Sequence, residues 1–258
     1  GGEVVNVAIN IYAHANLEVD SDGILTVSYR CDAPVGSGLG TTGAINVALM
    51  AAISNSEDAE EKAYQFEALL GNTGGRQDQW AAKCGGFNHL MFIGDAVEEL
   101  PFDPPRSAKF WLHKHLIVAN TGIPHVSGDL HKNIWKKYAE KDPGVIDGLM
   151  KIRMAARKMA QGLDQDRRDL VVEAFSEVCE GVDALDPALH DPFRSVVEPM
   201  LQSRDIMGWK ALGAGGGGCV AMLCAPNRQD SVKAICEDAG WSILDWDYDE
   251  IGLVVNAN

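Results

Sequence analysis

The stretch Pro34-Val35-Gly36-Ser37-Gly38-Leu39-Gly40-Thr41-Thr42-Gly43 decides how the rest of the chain is read. The alternating residues Ile24-Leu25-Thr26-Val27-Ser28-Tyr29 lead into it and predict a strand; residues 44–53 follow it, apolar on nearly every side, and predict a buried helix. Between them lie four glycines, two threonines and no charge. Glycines let a backbone turn sharply and bring its N–H groups close to a ligand with no Cβ in the way. A helix starting at Thr41–Thr42 leaves its first N–H groups unpaired and puts its positive dipole end at the same place. A threonine there can cap the helix or offer its hydroxyl to a magnesium ion. The combination is an anion site suited to phosphate.

Other readings of the loop compete. A P-loop needs Gly-Lys-[Ser/Thr] at a set spacing, and no lysine lies in the stretch. Residues 38–43 do fit the dinucleotide pattern G-x-G-x-x-G, which requires a second strand ending in an acid about 20 positions on. Ser56-Glu57-Asp58-Ala59-Glu60-Glu61-Lys62 stands there instead and reads as the capped start of another helix. A glycine-rich turn into a core helix, with no ligand at all, also fits the loop taken alone.

At 258 residues, 46% hydrophobic and 23% charged, the chain has the composition of a soluble globular protein with one large or two medium domains. Its net charge of −15 argues against nucleic acid or an anionic membrane as partner, so a polyphosphate would be held by local N–H groups, magnesium and a few cations. No apolar run reaches membrane-spanning length. Six scattered cysteines without a C-x-x-C pair suit reduced thiols in a cytoplasmic protein. The opening Gly1-Gly2-Glu3 carries no methionine, from which we expect a processed chain or a natural start further upstream.

Residues 3–19 alternate well enough for one or two strands, and Asp20-Ser21-Asp22-Gly23 is a turn. Helices are expected at 42–53 and 57–70, the second capped by Ser56, with Glu67 on the edge of its apolar stripe. Glycine pairs then bracket a polar-aromatic loop at 71–88, followed by a strand at 89–93 and a proline-rich stretch, 101–106, read as a domain boundary. Residues 116–119 predict a strand, 128–204 a helical region broken near Pro143, Gly162 and Asp186–Pro187, and 219–224 a buried strand. A helix at 227–239 and two short strands complete the chain. No repeat is visible, and strands first with helices later argue for an α+β fold. A second glycine run, residues 213–218, precedes a strand rather than a helix and reads as close backbone packing beside a ligand or another loop. His113-Lys114-His115 alternates as metal ligands can but lacks a partner motif.

Two carboxylates suit phosphoryl transfer to an alcohol, which needs a positioned hydroxyl, neutralised phosphates and a carboxylate near the attacking oxygen. Asp78 sits beside Arg76, Gln77 and Gln79, and a carboxylate next to a fixed cation stays ionised and oriented. Glu67, with a hydroxyl from Thr42 or Thr41, would give magnesium hard oxygen ligands. Taken alone, Glu67 also reads as a solvated helix residue and Asp78 as a turn former.

Pro34, Gly38-Leu39-Gly40 and the paired threonines resemble the phosphate-binding motif of the GHMP kinases, the superfamily of galactokinase, homoserine kinase and mevalonate kinase. Residues 74–88, Gly-Gly-Arg-Gln-Asp-Gln-Trp-Ala-Ala-Lys-Cys-Gly-Gly-Phe-Asn, are similar to a stretch of its heptose-phosphate kinase branch, and residues 210–218 to its third motif, which packs beside the phosphate loop. In related members a glutamate eleven positions before that aspartate holds magnesium, and Glu67 stands eleven before Asp78. Residues 121–128 resemble a Thr-Gly-x-x-[Arg/His]-x-Ser segment facing the ligand cleft, with His125 in place of the commoner arginine.

The resemblance implies a two-domain GHMP kinase fold within the α+β class: a ribosomal protein S5 domain 2-like N-terminal domain at 1–105, with its N-terminal part incomplete, and a ferredoxin-like C-terminal domain at 106–258. It implies an ATP- and Mg2+-dependent kinase acting on a sugar or sugar-phosphate hydroxyl, a heptose phosphate first. Pro34, Gly36, Ser37, Gly38, Leu39, Gly40, Thr41 and Thr42 would bind the nucleotide, and Glu67 and Thr42 the metal. Asp78 and Arg76 would be catalytic, and Gly75, Gln77, His125, Gly215 and Gly216 would face the substrate. The family's first motif and the helical stretch before its phosphate loop are missing here, which leaves open a non-catalytic nucleotide- or sugar-binding protein on the same fold, or another GHMP kinase such as a fucose- or galactose-type kinase.

Overall fold

The computed structural model spans residues 1–258. It describes all of them except Val35, 55–56, 72–73, 125–127 and 257–258, together with the side chains of 128–130. In chain order the elements are β1 Gly2–Val7, β2 Ala13–Val19, β3 Leu25–Cys31, α1 Thr41–Ser54, α2 Ala59–Leu69, α3 Gln77–Cys84, β4 Phe87–Ile93, β5 Ala96–Leu100 and α4 Arg106–His115. There follow β6 Leu116–Asn120, α5 Gly128–Ala139, α6 Pro143–Asp164, α7 Arg168–Leu185, a 3-10 turn Pro187–Leu189, α8 Asp191–Gln202, β7 Ile206–Ala211, β8 Cys219–Cys224, α9 Gln229–Asp238 and β9 Ser242–Ile243. The strands form a sheet in the order β1-β4-β5, a hairpin β2-β3, and a sheet in the order β7-β8-β6-β9. Helices and mostly antiparallel sheets are thus mixed, as the α+β reading expects. Among the described residues no helix is long and apolar enough to cross a membrane.

Contacts gather the chain into two compact units that interleave in sequence. One holds Gly1–Val5, Val35–Leu39 and His89–Asp245; the other holds Asn6–Pro34, Gly40–Asn88 and Trp246–Asn258. This division differs from the single cut expected at 105–106. Residues on both sides of the proline-rich stretch fall in one unit, while the tail joins the other through backbone bonds such as Asp249 N–H to Ala8 O (3.0 Å) and Leu253 N–H to Lys83 O (3.2 Å).

The first unit is built on β8, whose six residues are all buried and which lies between β7 and β6. Phe193, Val197 and Met200 of α8 and Val232 and Cys236 of α9 pack with Trp209 and Met222 into one core. Each such large side chain contributes about 1.5–3 kcal/mol on burial. The α6 and α7 helices lie close because glycines face one another: a Cβ on Gly181 would come 2.9 Å from Gly148 O. Gly162 has the same use. The break expected there falls instead after Asp164, and a Cβ at 162 would meet Val171 N at 3.0 Å, so this glycine seats the end of α6 against the start of α7.

In the second unit α1, α2 and α3 pack through Val47, Ala51, Ala59 and Ala63, with Ala82 and Leu253 alongside. Small side chains let these helices approach. The structure corrects several expectations. The loop at 71–88 contains the helix α3, and β5 and α4 were not foreseen. The α2 helix starts at Ala59, with Asp58 in the N-cap position and no side-chain cap bond; Ser56 lies outside the described residues. Among its described residues the tail holds one two-residue strand and an isolated Ile9–Tyr248 bridge in place of two strands.

Glu3 closes the start of the first unit. Its side chain is only 1% exposed. It accepts from Arg157 Nη2 at 2.8 Å and pairs with His89 Nε2 at 2.9 Å, while Arg153 Nε lies 3.7 Å away. Burial alone would raise its pKa, but the bonds from Arg157 and His89 outweigh burial and hold the carboxyl below its ordinary value of 4.5. A depressed carboxyl pKa stabilises the fold above the unfolded value, and that contribution is lost as pH falls through the folded one. Glu3→Gln is therefore expected to cost about 1–3 kcal/mol at neutral pH by urea denaturation. The gap from the wild type should close as pH drops below 4.5; a gap that persists in acid would contradict an ionised Glu3.

Candidate functional site

Within the first unit the two glycine runs meet backbone to backbone. Ser37 is fully buried, and its carbonyl accepts the N–H of Cys219 at 2.7 Å. Gly38 has φ +72, and a Cβ on it would stand 2.5 Å from Leu212 O; one on Gly213 would stand 2.9 Å from Gly38 Cα. A Cβ on Gly218, φ +79, would come 2.7 Å from Ser37 O. The same run ties in two other segments. Thr121 donates to Gly218 O from N (3.1 Å) and from Oγ1 (2.8 Å), and Gly218 N–H donates to Ile123 O at 2.9 Å. Gly216 N–H donates to Leu189 O at 2.7 Å, and a Cβ on Gly215 would stand 2.9 Å from that carbonyl. So the second run is the close backbone packing expected of it, and the Gly216 N–H is occupied within the fold. His125 lies outside the described residues, although residues 121–124 just before it belong to this node.

The corner carrying Leu189 is itself braced. His190 is 1% exposed, packs at a tilt against Trp209 with 4.6 Å between ring centroids, and pairs with Asp183 Oδ1 through Nδ1 at 2.7 Å. Burial lowers the His190 pKa, with the Asp183 carboxylate opposing that shift. Burial likewise pushes the Cys219 thiol, next to Gly218, up to about 12, which rules it out as a thiolate at neutral pH.

In the second unit the glycine stretch becomes α1. Gly40 accepts the first helical bond from Ala44 N–H at 3.0 Å, so the helix opens at Thr41 as the sequence predicts. Thr42 is exposed in the first turn, Thr41 partly so. Asp78 stands in the first turn of α3, a helix and not the loop expected. Its carboxylate lies against Gly40: a Cβ there would be 3.1 Å from Asp78 Cγ and 3.4 Å from Oδ1. A Cβ on Gly43 would be 2.9 Å from Asp78 Cβ and 3.2 Å from Gln79 N. The opening turns of α1 and α3 therefore touch through the Asp78 side chain, with no side chain from Gly40 or Gly43 in the way, and Asp78 lies near the positive ends of both helix dipoles.

Glu67 on α2 is buried, 6% exposed, and accepts from Gln79 Nε2 at 2.9 Å. Gln79 is 2% exposed, and its Oε1 has no hydrogen-bond partner among the described residues. Sequence reasoning passed over Gln79; its place in Gln77-Asp78-Gln79, one residue past the candidate catalytic acid, was the available signal. Arg76 is turned toward α2. Its Nε donates to Glu61 Oε2 at 3.0 Å and its guanidinium lies 3.9 Å from the Tyr64 ring centroid. Gln77 presents its carbonyl to Asn6 Nδ2 at 3.1 Å, and Gly75 is exposed with open space around its Cα. The second glycine pair has a packing role, since Gly85 would place a Cβ 2.4 Å from Gly252 N of the tail. Among the described residues no three His, Cys, Asp or Glu side chains form a metal cage.

The chain is 26% identical over 247 residues to the mevalonate kinase of Thermococcus sibiricus, covering 92% of this chain and 69% of that one. It is 23% identical over 235 residues to the D-glycero-alpha-D-manno-heptose 7-phosphate kinase of Campylobacter jejuni, covering 86% of this chain and 68% of the other. It thus spans about two thirds of the length of these curated relatives. Among solved structures, a D-glycero-D-manno-heptose 1-phosphate kinase from Bacteriodes thetaiotaomicron superposes with a TM-score of 0.77 at 18% identity, over 100% of this chain and 92% of that one. No family model matches the chain. The similarity to the GHMP kinases, with heptose-phosphate kinases among the relatives, is the one read from the motifs, and every relative named here is a kinase.

The backbone node gives a direct test. Gly218→Ala forces a Cβ into Ser37 O at a positive φ and should cost about 1–3 kcal/mol by urea denaturation. Gly75→Ala, with nothing within 4 Å of its added Cβ, should change stability by no more than about 0.5 kcal/mol. Equal effects at the two positions would show that close packing of the runs is not what Gly218 supplies.

Proposed function

We propose that this chain is an ATP- and Mg2+-dependent small-molecule kinase of the GHMP type, moving a γ-phosphoryl group onto a hydroxyl of a sugar or sugar phosphate, with a heptose phosphate as the leading acceptor. The observation that carries the reading is the Asp78 carboxylate lying against Gly40 at the point where the first turns of α1 and α3 touch. Backbone N–H groups from Gly36 to Thr42, on the bend set by Pro34 with Ser37, Gly38, Leu39, Gly40 and Thr41, would receive the phosphates. Asp78 would accept a hydrogen bond from the acceptor hydroxyl and orient its oxygen toward the γ-phosphorus. As the new P–O bond forms, the bond to the bridging oxygen of the nucleotide breaks, and the hydroxyl proton passes to Asp78 and on to solvent. Arg76, held by Glu61, would add positive charge beside the substrate. Gly75, Gln77, His125, Gly215 and Gly216 remain the proposed substrate-side residues, Gly215 and Gly216 acting through the loop that they shape.

The donors fit a hard divalent cation. Glu67 is a buried carboxylate, the amide oxygen of Gln79 beside it lacks a partner among the described residues, and Thr42 offers an exposed hydroxyl. Glu67 and Thr42 would hold magnesium together with phosphate oxygens. When bound, the ion neutralises charge on the β- and γ-phosphates. The mevalonate kinases among the relatives support a second acceptor class, a hydroxy acid.

The test is ADP release with ATP–Mg2+ over a panel of sugars, heptose phosphates and mevalonate. Asp78→Asn should lower turnover by about 10²–10⁴-fold while the thermal shift induced by ATP–Mg2+ stays within error of the wild type. Undiminished turnover rejects Asp78 as the catalytic carboxylate. Stabilisation by nucleotide with no turnover on any acceptor favours a non-catalytic binding protein.

A further inference from the structure

Gln79 is buried between α2 and the first turn of α3, and half of its amide is spoken for. Nε2 donates to Glu67 Oε1 at 2.9 Å. A carboxylate only accepts, so as long as Glu67 is ionised the amide must turn its NH2 toward it, and Oε1 then points the other way. That oxygen finds no donor among the described residues. An acceptor left unsatisfied at 2% exposure is destabilising. Methionine would fill nearly the same space without the loss. A donor brought in with a ligand would offset that cost.

We infer that Gln79 is a positioning residue for the cation of the proposed site: its N–H fixes the carboxylate of Glu67, and its Oε1 accepts a hydrogen bond from a water bound to that cation. This rests on the kinase reading above and adds a residue to it. A metal-bound water is a stronger donor than bulk water because the ion draws electron density from its O–H bonds. One amide thereby ties the protein ligand and the hydration shell of the ion to a single rigid group on α3, next to Asp78 in sequence. Groups that orient a ligand in this way change metal affinity by about 10–100-fold when removed.

The experiment is Mn2+ binding followed by electron paramagnetic resonance, with a non-hydrolysable ATP analogue held saturating, on the wild type and on Gln79→Met. The analogue's own binding is measured without metal. The variant should bind Mn2+ about tenfold or more weakly, with metal-free nucleotide affinity unchanged, and its apparent KM for Mg2+ in turnover should rise by a similar factor while kcat moves less. Gln79→Asn, whose amide falls one methylene short of Glu67, carries the same expectation and takes over should Gln79→Met fail to fold. A variant that melts earlier yet binds Mn2+ as tightly as the wild type overturns the inference, because Gln79 would then be packing alone. A wild type that binds Mn2+ with nucleotide but turns over no acceptor removes the kinase reading and leaves the role of Gln79 standing. A wild type that binds no Mn2+ with nucleotide present overturns both.

Discussion

The constraint on which this molecule depends is that main chain meets main chain with no Cβ between. Gly38 lies against Leu212 O, Gly213 against Gly38 Cα, and Gly218 against Ser37 O, each at a distance that a methyl group could not survive. Buried backbone groups must be paired, and here they pair with one another: Ser37 O with Cys219 N–H, Gly218 O with Thr121, Leu189 O with Gly216 N–H. A loop tied down in this way has few conformations left. Preorganised donors lose little freedom on binding an anion, the condition under which backbone dipoles can stand in for lysine. On the proposed reading the lysine-free stretch is intelligible on that basis, even in a chain whose net charge is −15.

The same device recurs where the loop becomes a helix. Gly40 and Gly43 let the first turn of α1 rest on Asp78 and Gln79, and Gly85 and Gly252 let the tail cross the end of α3. With α3 fixed at both ends, the eight residues Gln77–Cys84 form a helix that would be marginal in isolation. That is why α3 was not legible. Its sequence has a weak apolar stripe and glycine pairs on both sides, which locally signal a loop; the helix is imposed by tertiary contact. By contrast β3, α1 and β8 were legible, because an alternating strand, an apolar run interrupted only by Asn46 and an unbroken apolar run carry their own signal. Gly162 misled for a related reason, since a glycine inside a helix reads as a break when its use is to admit Val171.

The site was legible in its residue types more than in its geometry. Glu67, Asp78 and the threonines were marked by spacing and resemblance, and the structure brings Asp78 to Gly40 and Glu67 to Gln79. What the sequence could not reveal is which groups are already committed. Arg76 stands two before Asp78, and proximity in sequence suggests that the cation serves the acid. In the structure its Nε faces Glu61 and its plane lies over Tyr64, so the charge is anchored to α2. Gly216 is similar: its N–H is spent on Leu189 O.

These commitments shift the electrostatic burden. Arg76 is anchored by a carboxylate on α2, so its charge is partly balanced where it stands, and on the proposed reading an incoming polyphosphate would depend as well on the N–H groups in the first turn of α1. Those are partial charges, about half a unit at a helix end, against several full negative charges on a triphosphate. Two carboxylates nearby, Glu67 and Asp78, deepen the deficit. A phosphate site of this composition would call for a hard cation, and the buried carboxylate of Glu67 with the Gln79 oxygen that lacks a partner among the described residues offers the oxygen donors that such an ion takes. On the proposed reading, the acids beside the first turn of α1 and the absence of basic side chains from the glycine stretch are two sides of one arrangement, in which the acids would hold a metal ion and backbone N–H groups the phosphates that the ion neutralises.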